Sequence, residues 1–171
     1  LATTALGPAG TTGVVQKIVA APTSFTATLA GAAAGTTVTA TGQTLFTLSP
    51  NGETLSYRLS VQGLDNITMA HIHVASIPGG DGAPAVWLFP PAPPAMTIPG
   101  TFSGLLGEGT ITAANLVGPL AGQTLTDLLT AIRENRAYVN VHTQQFPAGA
   151  IRGLSFMSMT INIIAAVRIF S

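Results

Sequence analysis

The chain has three histidines, and their placement suits metal chemistry. His71 and His73 lie in Met69-Ala-His-Ile-His-Val, and His142 lies in Tyr138-Val-Asn-Val-His-Thr. Both runs are apolar and rich in β-branched residues, which reads as strand. Side chains alternate faces along a strand, so His71 and His73 point one way and Ile72 the other. If the strand of His142 runs nearby, three imidazoles converge on one face. Imidazole suits copper and zinc, and copper(II) binds a nitrogen site more tightly than zinc by the Irving–Williams order. The expected ligands are therefore His71, His73 and His142, with copper first and zinc as the alternative. The plainer alternative is three satisfied, half-buried strand residues, since spacing alone does not make His142 adjacent.

Neighbouring side chains have two readings each. Met69 shares the face of His71 and is either a weak axial copper ligand or a packed core residue. Tyr138 and Asn140 share the face of His142 and either support the ligands or simply pack. Other chemistry has little to stand on. There is no cysteine, so thiolate ligands, a cysteine nucleophile and disulfides are excluded. No Gly-x-Ser-x-Gly elbow anchors a hydrolase. Asn66-Ile-Thr68 is a glycosylation sequon, with a turn role as the plainer reading.

Strands must position these residues. Ser24–Ala30 and Thr44–Ser49 alternate, and Asn51-Gly52 is a two-residue hairpin signal. A return strand follows from Thr54, with Leu55, Tyr57, Leu59 and Val61 on one face. A separate strand over Ile67–Val74 carries the histidine pair. Residues 76–100 read as loop, interrupted by a short Val86–Phe89 strand and then held extended by prolines. One helix is expected, because Leu125, Leu128, Leu129 and Ile132 follow the helical spacing behind a Thr124/Asp127 capping pair. A shorter helical turn is expected at Thr112. From Met157 to Ile169 the odd positions are all apolar, a period-2 pattern over about thirteen residues, longer than a usual strand. A strand of that kind either completes the chain's own sheet or pairs with another copy.

The composition narrows the class. A chain of 171 residues is long enough for one domain with a real core. Six basic and six acidic residues balance, charged residues are 7 %, and no basic patch favours nucleic acid as a partner. Thr, Gly, Pro, Ser or Asn interrupts every apolar stretch, so no transmembrane segment is expected. Low charge removes the self-repulsion that keeps copies apart. It fits either self-association or a polar, uncharged surface. The first residue is Leu1, which fits a processed mature form or a fragment.

Four segments together resemble the CHRD domain family, named from chordin and widespread among secreted bacterial proteins. They are Asp65-Asn-Ile-Thr-Met-Ala-His-Ile-His-Val, Gly80-Asp-Gly-Ala-Pro-Ala-Val, Ala137-Tyr-Val-Asn-Val-His-Thr and Phe146-Pro-Ala-Gly-Ala-Ile-Arg-Gly. The resemblance implies a secreted, all-β, Greek-key-like β-sandwich over residues 24–154. Its His-x-His strand is similar to that of copper/zinc superoxide dismutase. An arm (residues 1–23) and an extended strand (155–171) lie outside it. This chain departs from the family pattern twice. It has Ala32-Ala-Ala-Gly where Glu-Val-Pro is usual, and Ala150 where a Glu usually precedes Ile-Arg-Gly. A dismutase needs a fourth copper ligand and a bridging imidazole, and no histidine is left for either, so no enzyme activity is expected. The leading expectation is a secreted protein whose copies assemble into an extracellular filament or surface layer by strand exchange, each with a three-histidine copper site. The alternatives are a monomeric secreted copper- or zinc-binding protein and an adhesion module, with a dismutase-type enzyme behind them.

Overall fold

A computed structural model describes residues 24–158. These residues fold into seven strands and one α-helix: β1 (Ser24–Ala30), β2 (Thr41–Leu48), β3 (Leu55–Ala75), β4 (Gly82–Phe89), β5 (Ile98–Ile111), α1 (Leu125–Arg133), β6 (Ala137–Thr143) and β7 (Ile151–Ser158). Every strand pairing is antiparallel.

β3 organises the fold. It is 21 residues long where strands average about five or six. Its first half pairs with β2 from Leu48↔Leu55 to Thr41↔Gln62. Its second half pairs with β6, His71 opposite Asn140 and His73 opposite Tyr138. β6 then pairs with β7, β7 with β1, and β1 with β2. The ring β1-β2-β3-β6-β7 is therefore a closed five-stranded barrel. β5 and β4 are two outer strands laid along β3. This pairing replaces the expected two-layer sandwich: one strand long enough to serve two sets of neighbours closes the sheet on itself. The bend that allows this lies at Gly63 and Asn66, both with positive φ, where the β3–β5 register slips. Asn tolerates this left-handed region better than other non-glycine residues. Its side-chain oxygen accepts the Gly100 N–H at 2.9 Å, which gives Asn66 the turn role.

The core follows from alternation. Phe25, Ala27 and Leu29 of β1, Phe46 of β2, Leu55, Leu59 and Val61 of β3, Val139 and Val141 of β6, and Ile151 of β7 are fully buried in one cluster. Helix α1 adds Leu125, Leu128, Leu129 and Ile132 to it. The Asp127 carboxylate accepts both the N–H and the hydroxyl of Thr124, as the capping pair predicts. The turn expected at Thr112 is a 3-10 turn over Ala113–Asn115.

Three local expectations change. The hairpin after β2 is a six-residue loop, because the last pair is Leu48↔Leu55 and a Ser49 N–H to Thr54 O bond closes it. The two strands expected over residues 54–74 are one strand. β5, read as loop and unassigned sequence, is a 14-residue strand. The N-terminal arm expected over residues 1–23 lies outside the described residues. Of the expected C-terminal strand, residues 155–158 continue β7 and pair with Ser24–Ala27 of β1, and residues 159–171 lie outside. No helix of the described residues is long and apolar enough to cross a membrane.

Candidate metal centre

β3 and β6 bring the three histidines together. Across this ladder Met69 faces His142, His71 faces Asn140, and His73 faces Tyr138. Residues directly opposite in an antiparallel pair share a face. All six therefore lie on one side of the sheet, with Ala70, Ile72, Val139 and Val141 on the core side. His71, His73 and His142 are 2 %, 6 % and 4 % exposed.

The nitrogens converge. His71 Nδ1 lies 3.2 Å from His142 Nε2, and His73 Nε2 lies 3.3 Å from the same atom. Each histidine offers one such atom, and all three lie within 4.8 Å of one another. A metal about 2.0–2.1 Å from three tetrahedrally arranged imidazole nitrogens separates them by about 3.3–3.4 Å. The two separations from His142 Nε2 are close to that and the third is within 4.8 Å, so the cluster could hold a metal ion.

The backbone sets which nitrogens face inward. His73 Nδ1 donates to Gly82 O and His142 Nδ1 donates to Pro147 O, each at 2.9 Å. A carbonyl can only accept, so in both rings the proton is on Nδ1 and the lone pair is on Nε2. Two lone pairs then face each other at 3.3 Å, an arrangement that a cation relieves. Desolvation by burial is the main cause that holds all three rings neutral: His71 is pushed down to about 3, His142 to about 4, and His73 is also lowered. Neutral imidazole is the form that binds metal.

The surroundings hold the ligands in place. Tyr138 stacks on His73, with centroids 5.1 Å apart, and the Arg152 guanidinium sits 5.1 Å over the Tyr138 ring. Arg152 also pairs with Asp81 and donates to Ala33 O. Arg152 thus has an acidic partner although Ala150 takes the place of the usual Glu. Gly82 N–H donates to Tyr138 Oη at 3.1 Å, and a Cβ at Gly82 would meet the Val74 backbone at 2.2 Å. Trp87 of β4 packs edge-on to His71, with centroids 4.3 Å apart. Asn140 Nδ2 donates to Ala148 O at 3.0 Å, under Gly149, where an added Cβ would fall 2.2 Å from Asn140 Oδ1. Pro147-Ala-Gly149 is therefore a clamp over the site, and Gly149 must be glycine for Asn140 to fit beneath it.

All three histidines expected from the sequence meet. Tyr138 stacks on His73, and Asn140 lies opposite His71 in the ladder. Met69 is the ladder partner of His142, on the same face and partly exposed. The carbonyls of Gly82 and Pro147 escape sequence reading because every residue carries a carbonyl. Trp87 was legible only as part of a short strand.

The CHRD domain family model matches residues 25–154. No curated protein and no solved structure matches the chain.

Proposed function

This chain belongs to the CHRD domain family, and from that premise we propose that it is a secreted, non-enzymatic copper-binding protein whose copies assemble into an extracellular filament or surface layer. The observation that carries the metal reading is the meeting of three buried, neutral imidazoles with Nδ1–H held by carbonyls on two of them. Copper is preferred over zinc on affinity at a nitrogen site. Non-enzymatic fits the absence of any further histidine for a second metal or a bridging imidazole. Replacing His71 and His73 together with Ala should bring copper content from about one per chain to background, measured by mass spectrometry of the metal after dialysis. Unchanged stoichiometric copper would end this reading.

The assembly reading rests on the alternation from Met157 to Ile169 and on the low charge. β7 is paired strand up to Ser158, the last described residue. The six apolar side chains at odd positions from Met159 to Ile169, inserted into a neighbour, could contribute on the order of 10 kcal/mol before ordering costs. Deleting residues 159–171 leaves the whole β1–β7 ladder intact. It should abolish filaments seen by electron microscopy while the domain stays folded. Filaments of normal length from the truncated chain would contradict strand exchange through this segment. Secretion follows from the family's usual compartment and is part of the same proposal.

A further inference from the structure

Two of the three histidines donate their outward N–H to a backbone carbonyl, and the third has no partner on its outward nitrogen. His73 and His142 face the cluster through Nε2 and donate Nδ1–H to Gly82 O and Pro147 O. His71 is turned the other way. Its Nδ1 faces the cluster, and its Nε2 is buried with no hydrogen-bond partner. A metal on Nδ1 requires the proton on Nε2, and a ligating imidazole almost always donates its second N–H to an acceptor.

One acceptor on this face is free. Asn140 lies directly opposite His71 in the ladder, is 3 % exposed, and its Oδ1 is also buried without a partner. The amide orientation is fixed, because the Nδ2 end must face Ala148 O. Among the described residues the only other buried side-chain polar atom without a partner is Thr44 Oγ1, on β2. With a metal on Nδ1, the Nε2–H of His71 would be a buried donor without a partner, complementary to the unpartnered Asn140 Oδ1 on the opposed residue, and a buried water needs at least two such partners.

We propose that Asn140 is the positioning residue for His71: its Oδ1 receives the Nε2–H of His71 through one bridging water and thereby keeps the Nδ1 lone pair aimed at the metal. The inference rests on the three-histidine metal reading. It also assigns a proton movement. Without metal, His142 Nε2 carries a lone pair 3.2 Å from His71 Nδ1, so the His71 proton belongs on Nδ1, between the two rings. A metal held at Nδ1 would require the proton on Nε2 instead, where Asn140 would give it an acceptor.

The test uses the full chain with ¹⁵N-histidine and zinc(II) as a diamagnetic probe. Nitrogen shifts distinguish the two tautomers of each ring. In the parent protein His71 should switch from Nδ1–H to Nε2–H on zinc binding, while His73 and His142 keep Nδ1–H. Asn140→Leu should weaken zinc binding by about 10- to 100-fold, the usual cost of losing an outer-shell partner. Asn140→Asp, which keeps the acceptor, should restore most of the affinity. Gly149→Ala, which displaces Asn140 without touching a histidine, should mimic the Leu variant. A parent protein that binds no zinc at these histidines would overturn the metal reading itself. Zinc bound by the parent with unchanged affinity and the same His71 tautomer in Asn140→Leu would overturn the role of Asn140 alone.

Discussion

The two halves of β3 obey different rules. From Leu55 to Gln62 the strand alternates, with Leu55, Leu59 and Val61 fully buried and Ser56, Arg58 and Gln62 exposed. From Ala70 to Ala75 every residue is buried, on both faces. The first half has β2 and β5 beside it and water over its outer face. The second half has β6 and β4 beside it, with Pro147-Ala-Gly149 and Gly82 covering the face that carries the histidines. A strand with one wet face tolerates any polar residue there. A strand with two dry faces tolerates polar residues only when they are partnered. Histidines at positions 71 and 73 are therefore not surface decoration. Their burial has a cost that carbonyl bonds and ring stacking offset for His73 and His142, and that a bound metal would offset further.

That contrast can be tested on the strand itself. The largest effect on stability is expected at the core face of the dry half. Ile72→Ala removes a fully buried side chain between the two histidines and should cost about 2–5 kcal/mol, read as a lowered midpoint in urea. Metal stoichiometry should persist in the folded fraction. Loss of metal with no loss of stability would mean that Ile72 belongs to the site and not to the core.

Next is the response to acid. His71 and His142 are held neutral down to about 3 and about 4, mainly by burial, below the ordinary value of about 6.5. The unfolded chain therefore binds more protons than the folded one between these values. Their contribution to stability is full above about pH 6.5 and is lost as the pH falls through about 4 for His142 and about 3 for His71. Thermal unfolding of the metal-free chain should show this decline, and His71→Leu should make it shallower. A decline of equal steepness in His71→Leu would place the acid response elsewhere.

The smallest effect is expected at the wet half. Arg58 on β3 and Glu108 on β5 form an ion pair of 2.8 Å with both side chains more than half exposed. Arg58→Ala should change stability by less than about 1 kcal/mol. A larger loss would show that β5 depends on this pair for its place along β3.

The same contrast explains what could be read from the residues. The wet half of β3 announces itself, because Leu55, Tyr57, Leu59 and Val61 alternate with polar residues. β1, β2 and α1 were legible for similar reasons. The dry half was legible as chemistry, since two histidines in an apolar run demand an explanation. The continuity of β3 was not, because Gly63 and Asn66 carry turn signals and here mark a bend within one strand. β5 was missed because Gly100, Gly104, Gly107 and Gly109 dilute its pattern. Two of them answer close neighbours: an added Cβ at Gly107 would meet Leu88 O at 2.7 Å, and one at Gly109 would meet Tyr57 at 3.1 Å. Barrel closure was out of reach as well, because it depends on β2 and β6 sharing β3, a non-local fact. At the site, side-chain ligands were readable and backbone acceptors were not.

The most direct measurement is X-ray absorption at the copper edge on the copper-loaded full chain, beside the same measurement on His71→Ala/His73→Ala. Three imidazole nitrogens at about 2.0 Å, with their outer-ring scattering lost in the variant, are the predicted result. Copper coordinated only by oxygen, or a spectrum unchanged by the two substitutions, would contradict a metal centre built on His71, His73 and His142.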